Sequence, residues 1–299
     1  MKEISTAGEK TFRTVSYVLI ALVSILTLLP FVLMLIASFT DENFLVQNGY
    51  SFFPSKLSGN AYLYLLGQSP TVLRAYGVSF IVTVAGTALG IVLTSMLAYP
   101  LSRKDFKYRN IMSFLVFFTM LFSGGVVPSY IMWSKMFHIT NTILALIIPN
   151  YLVTAFNVFL MRSYYTNNIP PALVEAAQID GASEMTVFFR IMLPLSIPVV
   201  ATVGLFTGLV YWNDWINGLY YITEPKLYSI QYYLIVLMQN IQFLQSGNAN
   251  AAVNAGTIQL PSTAIRMALA VIGMLPIMVI FPFFQKYFIK GVVIGAVKG

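Results

Sequence analysis

The sequence of 299 residues contains no cysteine, a single histidine and few charged residues. Without cysteine there is no disulfide framework and no thiolate chemistry. His138 cannot form a metal site alone, and we interpret it as a solvated loop residue. Only 9% of the residues are charged, whereas 58% are hydrophobic and the mean hydropathy is +0.78. This composition predicts an integral membrane protein.

Motifs of nucleotide hydrolysis are missing as well. The sequence has no Gly-x-x-x-x-Gly-Lys-Ser/Thr phosphate loop and no cluster of carboxylates that could hold magnesium. The formal net charge of +7 gives no support to nucleic-acid binding, because the basic residues are distributed as a membrane topology signal. We therefore predict that this chain is not an enzyme, has no catalytic residue or cofactor of its own, and binds no nucleic acid.

Long apolar runs decide the predicted fold. A helix needs about 20 mostly apolar residues to cross the hydrocarbon core of a membrane. Six runs approach this length, so we predict an all-α polytopic membrane protein with six transmembrane helices in a single domain, residues 1–299. The first run lacks a convincing cleavage site and is expected to be a retained helix. The runs are Tyr17–Ala37, Ser79–Tyr99, Ile111–Met132, Ile143–Met161, Pro198–Ile216 and Met267–Phe284.

The positions of Lys and Arg predict the orientation, because basic residues next to spanning helices are retained in the cytoplasm. Six spans with cytoplasmic N and C termini place most of the 17 basic residues inside. The cluster from Arg103 to Arg109 fits this topology signal, with a specific lipid headgroup site as the alternative. The five basic residues left outside are Lys56, Arg74, Lys135, Lys226 and Arg266.

The longest inward loop, from Arg162 to Ile197, contains a polar segment between apolar runs. Pro170 and Pro171 favour a helix start. N–H groups in the first turn have no acceptor within the helix, so a proline there loses no hydrogen bond. We predict a short helix from Pro171 to Asp180. Gly181 then makes a turn, since a left-handed backbone is favourable for glycine.

A second short helix is predicted after this turn, from Glu184 to Ile191. Ser183 can cap its N-terminus, and Pro194 is expected to end it. The two short helices and the turn are predicted to form a helix–turn–helix in a loop of about residues 163–197. It connects directly to the fourth and fifth runs, so a force on it would move both.

The first short helix has small apolar residues on one predicted face. Leu173, Ala176, Ala177 and Asp180 fall at spacings of three and four residues. Alanines permit a close approach by a partner, and the Glu175 carboxylate could meet a basic group. The alternative is an interfacial helix pair that packs beneath its own bundle. The residues alone leave both interpretations open.

The same loop carries a longer sequence pattern. Glu-Ala-Ala is followed after three residues by Gly, and after nine more by Ile-x-Leu-Pro, the last four positions being 191–194. Here the chain resembles the permease subunits of binding-protein-dependent ABC importers of the bacterial cell membrane. The resemblance implies the type I permease fold, with this loop as the coupling helix in a cleft of a cytoplasmic ATPase. The implied ATPase-coupling residues are Glu175, Ala176, Ala177, Asp180, Gly181, Leu193 and Pro194.

The resemblance extends to the end of the chain and is closest to carbohydrate permeases of the maltose-transporter type. The tail of about residues 285–299 is similar to that of the shorter permease in such importers, and Tyr211–Trp215 is similar to a segment of the carbohydrate group. The implied ATPase-contacting residues are Lys290, Lys298 and Gly299. A basic terminus near anionic lipid is the alternative.

The resemblance also implies the partners. They are a second, related permease that forms a heterodimer, an ATPase dimer that holds ATP and magnesium, and an extracytoplasmic solute-binding protein. The implied function is uptake of an oligosaccharide or related sugar by alternating access. The outward loop Asn217–Arg266 is a plausible surface for the binding protein.

Candidate pathway residues come from polar side chains inside the apolar runs, because such residues usually face protein or water. Asn150, Thr154 and Asn157 are predicted on one face of the fourth helix, and Asn213 near the outer end of the fifth. They could bind sugar hydroxyls. For the three residues of the fourth helix, hydrogen bonding between helices explains the pattern equally well, and Asn213 could instead mark the membrane interface.

Rival functions remain. An ion-coupled secondary transporter needs ionisable groups near the middle of the membrane, and Asp214 is the only acidic candidate near a run. An ABC permease for a solute other than a sugar, or a membrane scaffold without cargo, also fits a helical membrane protein. The sequence does not identify the transported sugar.

Overall fold

The computed structural model describes residues 7–67, 69–245 and 263–296. This part of the chain is mainly helical, and an isolated antiparallel bridge joins Thr40 to Leu57. The helices are α1 (Ala7–Ser38), α2 (Glu42–Asn48), α3 (Asn60–Gly67), α4 (Ser69–Ser102), α5 (Arg109–Leu121), α6 (Val126–Met136), α7 (Leu144–Ile147), α8 (Ala155–Asn168), α9 (Pro171–Ile179), α10 (Glu184–Leu195), α11 (Ile197–Trp212), α12 (Ile216–Tyr221), α13 (Ile230–Gln245) and α14 (Thr263–Ala296).

Three described helices are long and apolar enough to cross a membrane as single segments. They are the parts Thr11–Ser38 of α1, Pro70–Ser102 of α4 and Thr263–Ile280 of α14. They contain the first and second predicted runs and most of the sixth. The most apolar window of α1 has no buried residue, which suits contact with lipid or another subunit.

Two further segments pass the same test only as bent helix pairs. The chain bends by 112° between α5 and α6, and by 81° between α10 and α11. The first pair corresponds to the third predicted run. In the second pair only α11 corresponds to the fifth run, because α10 was predicted as a short helix of the inward loop. By length and composition, the described residues therefore provide three spans, or up to five if each bent pair is one span. The total of six stays a prediction.

The prediction of one helix over the fourth run, Ile143–Met161, is wrong. α7 ends at Ile147, α8 begins at Ala155, and Asn150 between them has a left-handed backbone with φ of 69°. Pro149 has no backbone N–H to continue a helix. Polar contacts stabilise the break, because Asn217 Nδ2 donates to Pro149 O over 3.2 Å and Asn150 Nδ2 donates to Asn217 Oδ1 over 3.0 Å.

The helices form two compact units, of which the first comprises Met1–Ser69 and Leu237–Leu275. Within it, the Tyr62 ring stacks on Phe39 with ring centroids 4.6 Å apart. The Glu42 carboxylate accepts hydrogen bonds from the backbone N–H groups of Thr263 and Ala264, at 2.9 and 3.0 Å. A carboxylate here satisfies donors that the first turn of α14 leaves unpaired.

The second unit comprises Pro70–Val236 and Pro276–Gly299. One of its buried clusters joins α4 to α8, α9, α10 and α11. Val174 of α9 and Phe188 of α10 pack in this cluster near Tyr99 of α4 and Tyr165 of α8. The core therefore holds the predicted helix–turn–helix against the end of α4.

Candidate functional site

The first half of the candidate site is α9 and the turn that ends it. α9 begins with Pro171 in its first turn, as predicted. The Ala182 N–H bonds to Ala177 O at 2.9 Å, and the Gly181 N–H bonds to Gln178 O at 3.0 Å. With φ of 79° at Gly181, these bonds form a Schellman motif. The predicted helix and glycine turn are confirmed.

The second half is α10, which begins where predicted but ends later. The Ser183 hydroxyl accepts a hydrogen bond from the Thr186 N–H at 3.3 Å and caps the helix. Pro194 was expected to end α10, but the chain stays helical to Leu195, and the bend to α11 follows at Ser196. Residues 188–192 form a π-helical turn. Pro194 therefore lies in the first turn of the helical segment that follows, where the missing N–H of proline costs no hydrogen bond.

We use the name helix–turn–helix element for residues 171–195. Its inner side packs through Val174, which is 6% exposed, with Ala177 partly buried beside it. Ala177 of the predicted contact face therefore also packs against the core, and the role of that face stays a prediction. Leu173, Ala176 and Asp180 of that face are exposed, as is Glu175.

Sequence reasoning missed the most exposed large apolar side chain of this element. Ile179 is 86% exposed, in the last turn of α9. Extending the three-residue spacing of Leu173 and Ala176 would have found it. These three side chains form an exposed apolar ridge, with the carboxylates of Glu175 and Asp180 beside it.

A group of hydrogen bonds joins this element to the end of α4. Glu184 Oε2 accepts from the Tyr99 hydroxyl at 2.6 Å, and Glu184 Oε1 accepts from Gln178 Nε2 at 2.7 Å. Arg103 donates to both carboxylate oxygens of Asp105, at 2.8 and 2.7 Å. These bonds hold the pKa of Asp105 below its usual range. No sequence pattern indicates these contacts of Tyr99, Gln178 and Glu184, because they depend on the fold.

Two cavities flank the same contact. One of about 440 Å³ lies between the end of α4 and α10, with Met96, Tyr99, Met185 and Phe188 in its walls. Another of about 460 Å³ lies between residues 102–105 and helices α8 and α9. Its lining includes Glu175 and Gln178. The hydrogen-bonded contact therefore lies between two open pockets, at the edge of the apolar core that packs α4 against the helix–turn–helix element.

The candidate pathway residues of the fourth run do not share one helix face. Asn150 lies in the break, and Thr154 has an extended backbone just before α8. Asn157 is buried in α8, where its Nδ2 donates to Thr207 Oγ1 of α11 at 3.2 Å. The prediction of a continuous stripe is wrong, because the helix is interrupted before it reaches Asn157.

The remaining candidates lie around the end of α11. Asn213 is exposed directly after that helix, and its Nδ2 donates to Leu209 O at 2.8 Å. The neighbouring Asp214 is buried, and its Oδ1 accepts from the N–H groups of Ile216 and Asn217 at 3.0 and 3.2 Å. Asp214 thus caps the start of α12.

Comparison with known proteins identifies the family. The family model described as "Binding-protein-dependent transport system inner membrane component" matches residues 86–294. The chain belongs to this family. Its members are membrane subunits of transport systems, so the predicted ABC permease family is confirmed, and the chain is a transport subunit rather than an enzyme.

Similar curated proteins cover nearly the whole chain. Protein LplC of Bacillus subtilis is 37% identical over 99% of this chain and 97% of its own length. The polygalacturonan/rhamnogalacturonan transport system permease protein YtcP of the same organism is 35% identical over 97% of this chain and 99% of its own. The arabinooligosaccharides transport system permease protein AraQ of Halalkalibacterium halodurans is 30% identical over 96% and 95%.

A solved structure supports the fold. A chain of a bacterial ABC transporter involved in the import of the acidic polysaccharide alginate superimposes with a TM-score of 0.79. The match covers 96% of this chain and 100% of that chain, at 24% identity. The predicted all-α, multi-pass ABC importer permease fold is confirmed.

Proposed function

We propose that this chain is one of two related permeases in an ATP-driven importer that takes up an oligosaccharide delivered by an extracytoplasmic binding protein. Membership of the binding-protein-dependent family gives the type of system. The relatives named for polygalacturonan/rhamnogalacturonan and arabino-oligosaccharide transport support a sugar as cargo. A second permease is expected because few helices of one chain are available to enclose a path for an oligosaccharide.

The observation that carries this proposal is the exposed outer face of the helix–turn–helix element. Leu173, Ala176 and Ile179 form an apolar ridge with Glu175 and Asp180 at its edge. A rigid ridge on an element that continues into α11 suits docking in a cleft of a cytoplasmic ATPase. Glu175 would meet a basic group of that cleft.

Further members of the predicted coupling set would act by shaping this element. Gly181 fixes the angle between α9 and α10 through its left-handed turn. Ala177 allows α9 to lie close to the core, and Leu193 and Pro194 form the end of α10. Closure of the ATPase on ATP would move the element, and the attached helices would change packing to open the path.

The location of the termini and the contact made by the C-terminal tail depend on features beyond the element. The N and C termini lie in the cytoplasm, which the distribution of basic residues supports. The tail contacts the ATPase dimer, where ATP and magnesium bind. Lys290 lies in α14, whereas Lys298 and Gly299 lie outside the described residues.

The pathway assignment stays a proposal with Asn213 as its best-supported member. Asn213 is exposed at the end of α11, so a sugar hydroxyl could reach its amide. Asn150 is also exposed, in the break between α7 and α8. Thr154 is partly buried, and the amide of Asn157 bonds to Thr207, which supports hydrogen bonding between helices for that residue.

The function is tested by uptake of labelled sugars of defined length. Cells that lack the gene are complemented with the wild type, Glu175→Lys or Gly181→Trp, and given trigalacturonate or arabinotriose. We expect the wild type to take up one class, and both variants to abolish uptake while the protein stays inserted in the membrane.

Matched substitutions control for the change itself. Glu9→Lys reverses a charge in α1, outside the element, and Gly59→Trp adds the same ring at a glycine with no atom within 4 Å of an added Cβ. Both should retain uptake. Normal uptake by Glu175→Lys and Gly181→Trp would exclude the docking role of this element.

A further inference from the structure

We propose that Glu184 is a positioning residue that couples movement of the helix–turn–helix element to α4 through the Tyr99 hydroxyl. This inference rests on the proposed function, because it needs an ATPase to move the element. Chain connectivity joins the element only to α8 and α11. Any movement of α4 with the element must therefore pass through non-covalent contacts.

The two carboxylate oxygens of Glu184 bond to two different helices. Oε1 accepts from Gln178 Nε2 of α9 at 2.7 Å, and Oε2 accepts from the Tyr99 hydroxyl of α4 at 2.6 Å. Glu184 itself lies in the first turn of α10. One side chain thus joins α9, α10 and α4, and hydrogen bonds to a carboxylate are stronger than those between neutral groups.

Arg103 orders the α4 side of this contact. Its guanidinium is held by Asp105, and its Nη1 donates to the Tyr99 hydroxyl oxygen at 3.4 Å. The distance from Arg103 Nη2 to Glu184 Oε1 is 3.9 Å. The Tyr99 hydroxyl therefore lies between a cation and a carboxylate, and it donates its proton toward Glu184.

Apolar packing and hydrogen bonding both join these helices. The Tyr99 and Phe188 rings pack in the buried cluster with centroids 5.6 Å apart, and a pocket of about 440 Å³ opens beside them between α10 and the end of α4. The hydrogen bond from Tyr99 to Glu184 adds a charge-assisted link at the edge of this packing, and it acts on α4, which runs without interruption from Ser69 to Ser102.

The test follows backbone hydrogen exchange in the complex purified through a tag on this chain. Exchange is compared without nucleotide and after incubation with ATP, magnesium and vanadate, which traps ADP and vanadate in the ATPase, in residues 172–181 of the element and 93–102 of α4. We expect nucleotide to change exchange in both segments of the wild type. In Tyr99→Phe and Glu184→Ala the change at 172–181 should persist, while the change at 93–102 falls about tenfold, as expected for loss of one hydrogen bond to a charged group.

Two further variants separate positioning from a merely structural role. Glu184→Gln keeps an oxygen that can accept from Tyr99 and should retain most of the change at 93–102. Tyr108→Phe removes a hydroxyl from an exposed tyrosine near the same loop and should behave as the wild type. A purely structural defect would alter exchange without nucleotide but leave the response to nucleotide intact in α4.

The outcomes are distinguishable. The coupling through Glu184 would be overturned if nucleotide changed exchange at 172–181 but not at 93–102 in the wild type. It would also be overturned if the response at 93–102 were unchanged in Tyr99→Phe and Glu184→Ala. Absence of an ATPase from the wild-type complex, or of any response at 172–181, would overturn the proposed function itself.

Discussion

Gly86 lies directly against the ring of Tyr211, so close that a Cβ added to Gly86 would be 2.5 Å from Tyr211 Cζ. The ring cannot easily move, because it is 2% exposed and its hydroxyl donates to Ile147 O at 2.7 Å. This contact fixes the spacing of α4 and α11, the helix that follows the helix–turn–helix element. A glycine is required at this position for steric reasons.

Gly86→Ala is therefore expected to destabilise the protein. Overpacking costs about 1–3 kcal/mol, and the better helix propensity of alanine offsets about 1 kcal/mol of that. Gly77→Ala in the same helix is the control, because no atom lies within 4 Å of an added Cβ there. Thermal unfolding in detergent should show a lower midpoint for Gly86→Ala alone. Equal midpoints would show that the ring can move aside.

Substitution of Gly181 is expected to lower stability through backbone strain, without a steric clash. No atom lies within 4 Å of an added Cβ, but φ is +79°. Gly181→Ala should lower the free energy of unfolding by about 1 kcal/mol, and Gly181→Asn by less, since asparagine tolerates this conformation better. Gly59→Ala, where φ is not positive, should change little. Denaturant titration of the purified variants measures all three, and no difference between Gly181→Ala and Gly59→Ala would contradict the strained turn.

The amide of Asn157 is predicted to join α8 to α11 rather than to bind cargo. A double-mutant cycle with Asn157→Ala and Thr207→Val should give a coupling free energy of about 0.6–1 kcal/mol, typical of hydrogen bonds between membrane helices. Unfolding in mixed micelles provides the values. A coupling near zero, together with weaker uptake by Asn157→Ala alone, would instead favour the pathway role.

Asp214 provides a test against an ion-coupled mechanism. Its carboxylate caps α12 and accepts from the Tyr151 hydroxyl at 3.3 Å. Asp214→Asn keeps a capping oxygen and should retain uptake, whereas Asp214→Leu removes the cap and should lower the amount of folded protein. A carboxylate that carries a proton or sodium ion would not tolerate the amide. Loss of uptake in a fully folded Asp214→Asn protein would therefore support the rival class.

Local signals explain why the helix–turn–helix could be predicted from the sequence. Pro171 at a helix start, Gly181 at a helix end and Ser183 at a cap each act within a few residues of their partners. The permease family followed from the pattern in the same loop. Pro194 misled, because its effect depends on the π-helical turn at residues 188–192 that precedes it.

Long-range contacts explain what the sequence could not reveal. The break at Asn150 depends on a hydrogen bond to Asn217, 67 residues away, so the apolar run looked continuous. The bond from Tyr99 to Glu184 joins residues 85 positions apart. Neither pairing leaves a periodic pattern, because each is created by the packing of separate helices.

Photo-cross-linking from position 179 tests directly whether the helix–turn–helix element docks on an ATPase. Ile179 is replaced by a photoreactive benzophenone amino acid in living cells, and the adduct is identified by mass spectrometry. We predict an adduct with an ATPase subunit that contains a phosphate-binding loop, and none with that subunit from the exposed position 53 on the first compact unit. Cross-linking from position 179 to lipid alone, or to no polypeptide in any nucleotide state, would contradict the docking of this element on an ATPase.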